Sequence, residues 1–320
     1  MSKLSIDQIL EKAFTSGDLS GGSNGGLLGP EQAAKFVQGI IDNSVIINEC
    51  RREPMKATKR EIDKITYTGT ILQKPNAVGT DPSTTSKPTT SKVTLDAQEC
   101  IVAVDIGYDS LEDSIEGQGL FNTILGLTSK QLAFDMDDLL LNGVADGGST
   151  YLDILDGVFE QISTYTYDAL AGTLSDTILG KVLRKLPGKY FDADVANMRF
   201  YVSHLAKLDY VGALAGKGVN EAFVRYLIEA VEPMYNGVPV RKVPAIKTES
   251  ITDGTGTSNG SKALLINAKN IIWGVHRDIT TEFMRQPRKR IIEVTITMRV
   301  DVKLEEENAA VKATNIKHAT

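Results

Sequence analysis

The chain has 320 residues, of which 42% are hydrophobic and 24% charged, enough for one large or two modest folded units of ordinary globular composition. Against 41 Asp and Glu stand 35 Lys and Arg, a net charge of −6, which excludes a protein that grips phosphate with its bulk charge. Two cysteines, Cys50 and Cys100, with no CxxC, exclude a disulfide framework and fit a reducing cytoplasm.

The first residues, MSKLSIDQILEKAF, mix charge among their apolar positions and lack the apolar core of a signal peptide. No run of about 18 apolar residues occurs, so no membrane span is expected. Residues 4–14 read as a short amphipathic helix, and GGSNGGLLGP at 21–30 as a flexible joint. Pro30 and Glu31 suit the first turn of a second helix, whose apolar face is Ala33, Ala34, Phe36, Val37, Ile40 and Ile41. The first ~50 residues thus read as an arm with a mobile tip, a hinge and a docked helix.

Residues 62–106 read as one long hairpin. Ile62, Ile65, Tyr67 and Ile71 alternate on the way out. On the return, Val93, Leu95 and Ala97 keep one parity, and Cys100, Val102, Val104 and Ile106 keep the other. A phase switch of this kind needs a bulge or sharp twist. The connection KPNAVGTDPSTTSKPTTSK at 74–92 holds nothing that could build a core, and it gains order by lying on a neighbour or has none.

YDSLEDSIEG (108–117) supplies one or two helical turns. From 118 to 142 a stripe through Leu120, Ile124, Leu127, Leu132, Met136, Leu139 and Leu140 predicts a long helix, about 37 Å from end to end, that stops at Asn142 and Gly143. Residues 151–246 turn to shorter elements. These are a helix over 175–186 behind Ser175, a strand at 198–203, a helix through Leu205, Leu208, Val211 and Leu214 that Ser203 caps, a helix over 221–231, and a strand at 238–246. KTESITDGTGTSNGSK (247–262) reads as a polar, glycine-rich loop. Long strands then return in ALLINAKNIIWGV, DITTEFM and IIEVTITMRVDVKL. In the last, Ile292, Val294, Ile296, Met298, Val300, Val302 and Leu304 share one face over about 43 Å. Strand and long helix match in length, so laying one on the other buries both stripes.

Chemistry finds little support. His204, His276 and His318 are far apart and none has a second His or Cys at ligand spacing, so no metal site is expected. Ser203 and His204 near Asp209 have the residue types of a nucleophilic triad, but adjacent helical residues do not face each other. GTGTSNGSK (254–262) lacks the GxxxxGK[ST] spacing of a phosphate loop and precedes a strand. Asp135, Asp137 and Asp138, and Glu305, Glu306 and Glu307, read as solvated or inter-subunit acidic faces, with a cation site the lesser reading. Neither catalytic residues nor a cofactor are expected. In RQPRKR the cations Arg285, Arg288, Lys289 and Arg290 cap a hairpin tip without interleaved aromatics. Single-strand binders use such aromatics for stacking, so pairing with acidic groups of another copy is preferred, with plain solvent exposure next and phosphate contact last.

In order and character these parts resemble the tailed-bacteriophage major capsid proteins of the Hong Kong-97-type fold, over roughly residues 28–316. VDIGYDSLEDSIEG before a helix ending in LLLNG, and IIWGVHRDITTEFMRQPRKRIIEVTITMRVDVKL, carry the resemblance. It implies an α+β fold with an N-terminal arm (1–57), an extended loop (58–105), a peripheral domain with its spine helix at 118–142 (106–150 and 264–320), and an inserted axial α/β domain (151–263). It implies hexamers and pentamers of the chain forming an icosahedral virion shell around double-stranded DNA contacted non-specifically, assembled in a bacterial cytoplasm. Scaffold, portal and possible decoration proteins are the implied partners, the scaffold being separate or removed because the chain begins at the arm. Arg285, Arg288, Lys289 and Arg290 then sit where several copies meet, with acidic partners drawn from adjacent subunits. Lys74, Lys87 and Lys92 fall in the extended-loop tip. The alternatives are the shell of a cellular nanocompartment and, in a different class, an α/β phosphate-binding enzyme.

Overall fold

The computed structural model describes residues 26–27, 44–67, 71–72, 74, 87–109, 120–148, 150–191, 197–216, 232–252 and 256–319. In chain order the strands are β1 (Gly26–Leu27), β2 (Arg51–Pro54), β3 (Lys59–Thr66), β4 (Thr89–Asp96) and β5 (Gln98–Gly107). The long helix α1 (Leu120–Asn142) follows, then α2 (Val158–Gln161), β6 (Thr166–Asp168), α3 (Asp176–Lys185), α4 (Gly188–Phe191), β7 (Met198–Val202) and α5 (His204–Gly216). The last part holds β8 (Met234–Tyr235), β9 (Val238–Lys242), β10 (Glu249–Thr252), β11 (Thr257–Asn267), β12 (Ile271–Gln286), β13 (Ile291–Leu304) and β14 (Ala310–Lys317). The expected helices at 4–14, from Pro30 and at 221–231 lie outside the described residues, as does nearly all of 108–117.

Two sheets organise the molecule. The first runs β1-β12-β13-β5, with β2 added in parallel on β12. The β13 alternation is realised: Ile292, Val294, Ile296, Met298, Val300, Val302 and Leu304 are all buried. They share one core with Leu132, Ala133, Met136, Leu139 and Leu140 of α1. Period 2 on the strand and period 3.6 on the helix thus present matching apolar stripes. The helix stops where two glycines cross. Gly157 N–H donates to the Gly143 carbonyl at 2.8 Å. A Cβ on Gly143 would lie 2.7 Å from the Leu139 carbonyl oxygen, so no larger residue fits this approach.

The second sheet runs β6-β14-β11-β7-β9-β8, with β10 on β11. Its core joins Ile178, Leu179 and Val182 of α3 to Phe200, Val202, Val240, Leu265 and Val311.

Three expectations are corrected here. ALLINAKNIIWGV is not one strand: it ends β11 in the second sheet, turns through a 3-10 turn at Ala268–Asn270, and starts β12 in the first. The joint is built by asparagines. Asn267 accepts the Lys269 N–H at 3.0 Å, while Asn270 donates to the Glu306 carbonyl and accepts its N–H, at 2.8 and 2.9 Å. The expected loop at 247–262 is largely a hairpin, with Glu249 opposite Gly260 and Thr252 opposite Thr257. Glu249, Ser250, Thr252, Thr257 and Asn259 are exposed while Ile251 and Ser261 are buried, which a composition reading cannot see. The return arm of the first hairpin splits at Ala97: β4 pairs β3 in a separate two-stranded ribbon, and β5 pairs β13. The parity switch marks this change of sheet. Residues 264–267 and 310–317 lie in the second sheet.

Candidate functional site

The basic cluster sits at the β12–β13 tip, as its turn residues predict. Lys289 N–H donates to the Gln286 carbonyl at 3.1 Å, and the Arg290 carbonyl accepts the Tyr108 N–H at 3.0 Å. Three of the four cations are engaged within their own chain. Arg285 Nε donates to the Tyr108 hydroxyl at 2.6 Å, with its guanidinium 5.1 Å from the ring centre. Arg290 donates to Asp109 at 2.6 Å, and Lys289 lies 3.3 Å from Glu293. Among the described residues Arg288 has no hydrogen bond or ion pair. These three cations thus already have partners inside their own chain. The Arg290–Asp109 pair is largely exposed, and such pairs contribute little.

The ribbon β3–β4 is fastened at its base and bare further out. Arg60 pairs with Glu53 at 3.2 Å and Lys59 with Asp96 at 2.9 Å. Lys64 ion-pairs with Glu306. Leu95 and Ala97 are buried against Met55 and Ile272. Beyond that point Ile65, Tyr67, Ile71 and Leu72 are 69%, 55%, 54% and 89% exposed. Of the tip lysines, Lys92 pairs with Glu61 across the ribbon, while Lys74 and Lys87 stand in solvent.

The acidic patches divide by burial. Asp137 is buried and holds the base of the arm against the helix. It accepts the Ser44 hydroxyl at 2.6 Å and the Val45 N–H at 2.8 Å. Burial pushes its carboxyl above the usual range, and these donors pull the other way. Asp138 is fully buried, accepts from Asn142 of the same helix at 2.7 Å, and joins α1 to its surroundings through Tyr151 and Lys247. Only Asp135 is half-exposed, accepting from Gln131. A solvated face is therefore the wrong description of Asp137 and Asp138, and the apolar run Leu139–Leu141 beside them was the signal. Glu305 pairs with Arg51 at 2.8 Å. Glu307 takes the N–H and hydroxyl groups of Ser163 and Thr164. Those donors, the Ser163 N–H first, hold its carboxyl down at about 2.

The catalytic alternatives find no geometry. Ser203 caps α5 by accepting the Ala206 N–H at 3.1 Å and lies 2.9 Å from the Ser261 hydroxyl, while His204 is exposed. Asp209 faces His318 at 3.4 Å instead. The phosphate-loop candidate is mostly strand β11. Among the described residues no group of three or more His, Cys, Asp or Glu could hold a metal ion, and no helix is long and apolar enough to cross a membrane. Both cysteines are free thiols; burial pushes Cys50 up to about 12 and Cys100 to about 11, which makes them inert.

What remains is a chain of surfaces: an exposed ribbon, a charged hairpin tip and, among the described residues, a sheet edge at β5 without a further strand, where Ile101 is 68% exposed. Comparison with known proteins agrees. The chain is 30% identical over 313 residues to the putative prophage capsid protein YqbE of Bacillus subtilis (strain 168), covering 97% of this chain and 98% of that one. Its fold is similar to the capsid chain of the satellite phage P4 procapsid, with TM-score 0.65 and 13% identity over 91% of this chain and 92% of that one. It is also similar to the SrpI encapsulin of Synechococcus elongatus PCC 7942, with TM-score 0.58 and 12% identity over 86% and 89%. The model of the phage capsid family matches residues 24–315, and the chain belongs to that family.

Proposed function

We propose that copies of this chain assemble as hexamers and pentamers into the icosahedral head shell of a phage and enclose double-stranded DNA. The chain is a structural capsid protein and not an enzyme. The observation that carries the reading is the family match across 24–315, joined to a subunit whose ribbon leaves its apolar positions uncovered. An isolated molecule gains nothing from an exposed apolar ribbon and an open strand edge, which are aggregation hazards. In a closed shell of repeated self-contacts both are covered.

In this reading residues up to 57 are the arm and 58–96 the core of the extended loop. The first sheet with α1 is the peripheral domain, and the second sheet with α3 and α5 is the axial domain. Arg288 at the hairpin tip and Lys74 and Lys87 on the loop face other copies, with Arg285, Lys289 and Arg290 shaping the tip. DNA contact is non-specific, in keeping with a net charge of −6. Scaffold and portal proteins complete the assembly inside the host cell.

Electron microscopy of the purified protein is the direct test. Uniform shells or hexameric rings are expected, whereas particles of one or two chains would overturn the reading. The fold shared with an encapsulin gives the experiment a second arm. Nuclease-protected DNA in particles from the native source supports a phage head, and a protein cargo without DNA supports a nanocompartment.

A further inference from the structure

The turn after β6 is built against local preference. Leu170 and Ala171 both have left-handed backbones, with φ of 51° and 57°, and Gly172 N–H donates to the Ala169 carbonyl at 2.8 Å. Two successive left-handed residues make a type I′ turn, where Asn and Gly are strongly preferred because a Cβ crowds the following carbonyl. Here the pair is Leu-Ala. The conformation is imposed by its surroundings: Asp168 accepts the Leu170 N–H at 2.8 Å and the Asn315 amide at 3.0 Å, and Ala171 N–H donates to the Asn315 carbonyl at 3.0 Å. What this framework holds out is a leucine 83% exposed to solvent. Within one subunit that side chain returns nothing for the unfavourable backbone, a combination that marks a functional contact.

The second observation lies at the other end of the same sheet. β6 is one edge, and the order then passes β14, β11 and β7 to β9 and β8. Helix α5 packs on β9, four strand spacings from β6, or about 19 Å. There α5 exposes Leu205 and Leu208, three residues apart on one face, at 42% and 53%, and β8 exposes Met234 at 60%. Among the described residues nothing covers them. The leucine turn and this apolar face stand at opposite ends of one unit and cannot meet within a chain. Two different patches on opposite sides of identical subunits can meet only head to tail, a contact that gives a ring where the rotation between copies closes.

We propose that Leu170 is an inter-subunit plug that seats on the exposed Leu205 and Leu208 face of α5 in the next copy. This inference rests on the shell reading and names one of its contacts. The committed occupant is a second copy because the chain builds its assembly from itself, and because plug and seat are both apolar and both present once per subunit.

The test uses the full chain and two single variants, Leu170→Asn and Leu208→Gln, each scored for folding by thermal denaturation of unassembled protein and for assembly by sedimentation and electron microscopy. Asn tolerates the left-handed backbone, so Leu170→Asn should keep or raise the melting temperature while the yield of shells or rings falls at least about tenfold, the scale of a buried anchor at an interface. Leu208→Gln, on the solvent side of its helix, should give the same defect with an unchanged melting temperature. Assembly of either variant at the wild-type yield would overturn the proposal. If the wild-type chain itself formed no shells or rings, the shell reading would fall and this contact with it, so the two failures are distinguishable.

Discussion

The β12–β13 hairpin and the β3–β4 ribbon are both antiparallel pairs of alternating strands, and the molecule treats them in opposite ways. Along β13 every second residue is buried under α1. Along the ribbon burial is confined to the root, at Leu95 and Ala97, and ends before Ile65 and Tyr67. Alternation fixes a strand and its two faces; it does not say whether one face has a lid. For β13 the lid is a helix of the same chain. For the ribbon no described element of the chain supplies one, and in the proposed shell another copy does.

That contrast sets a series of tests. The largest effect is expected from Ile296→Ala, which opens a cavity under α1 and should cost the subunit about 2–5 kcal/mol in denaturant unfolding. Ile65→Ala, the matching change on the ribbon, should alter subunit stability by no more than about 0.5 kcal/mol while lowering shell yield. Equal losses of stability in the two would erase the distinction. Next comes the lid itself. Asp138→Ala leaves Asn142 and Tyr151 short of a buried acceptor and should cost about 2–3 kcal/mol in the same measurement; a neutral result would mean that the carboxylate is dispensable to the seating of α1.

A smaller effect should appear as pH dependence. Glu307, next to the Glu306 that fastens the ribbon base, is held below the ordinary carboxylate value, at about 2. A depressed folded-state value means that its stabilisation is present above the ordinary value near 4.5 and is lost as pH falls toward 2. Glu307→Gln should therefore flatten the loss of melting temperature between pH 5 and pH 3, and an unchanged slope would remove Glu307 from the account. The smallest effect on the subunit should come from Arg288→Glu at the exposed tip of the buried hairpin. Stability should stay within about 0.5 kcal/mol, yet shell formation should drop, and normal assembly would sink the proposed contact.

The long helix, its stop at Asn142 and Gly143, the β13 stripe and the Ser203 cap were legible because each rests on local periodicity or capping chemistry. The hairpin at 249–260 was not, since its only buried side chain in β10 is Ile251 and the rest reads as loop. The split of ALLINAKNIIWGV was hidden because both halves are strands; two asparagines that bond to the backbone, Asn267 and Asn270, decide where one ends. The tip cluster was legible as a cluster, but not its partners, because Tyr108 and Asp109 are nearly two hundred positions away in sequence. Leu170 gave no signal at all, since only backbone torsions show that it occupies a site suited to Asn or Gly.

By itself the sequence determined the long helix and its stop, the β13 strand and the apolar face of each, because these follow from spacing along one chain. The tertiary structure decided which sheet each strand joins, which acids are buried anchors rather than solvated charges, and which apolar residues the subunit leaves uncovered. Those depend on burial, and burial is a property of what lies across the gap rather than of the residue or its neighbours in sequence.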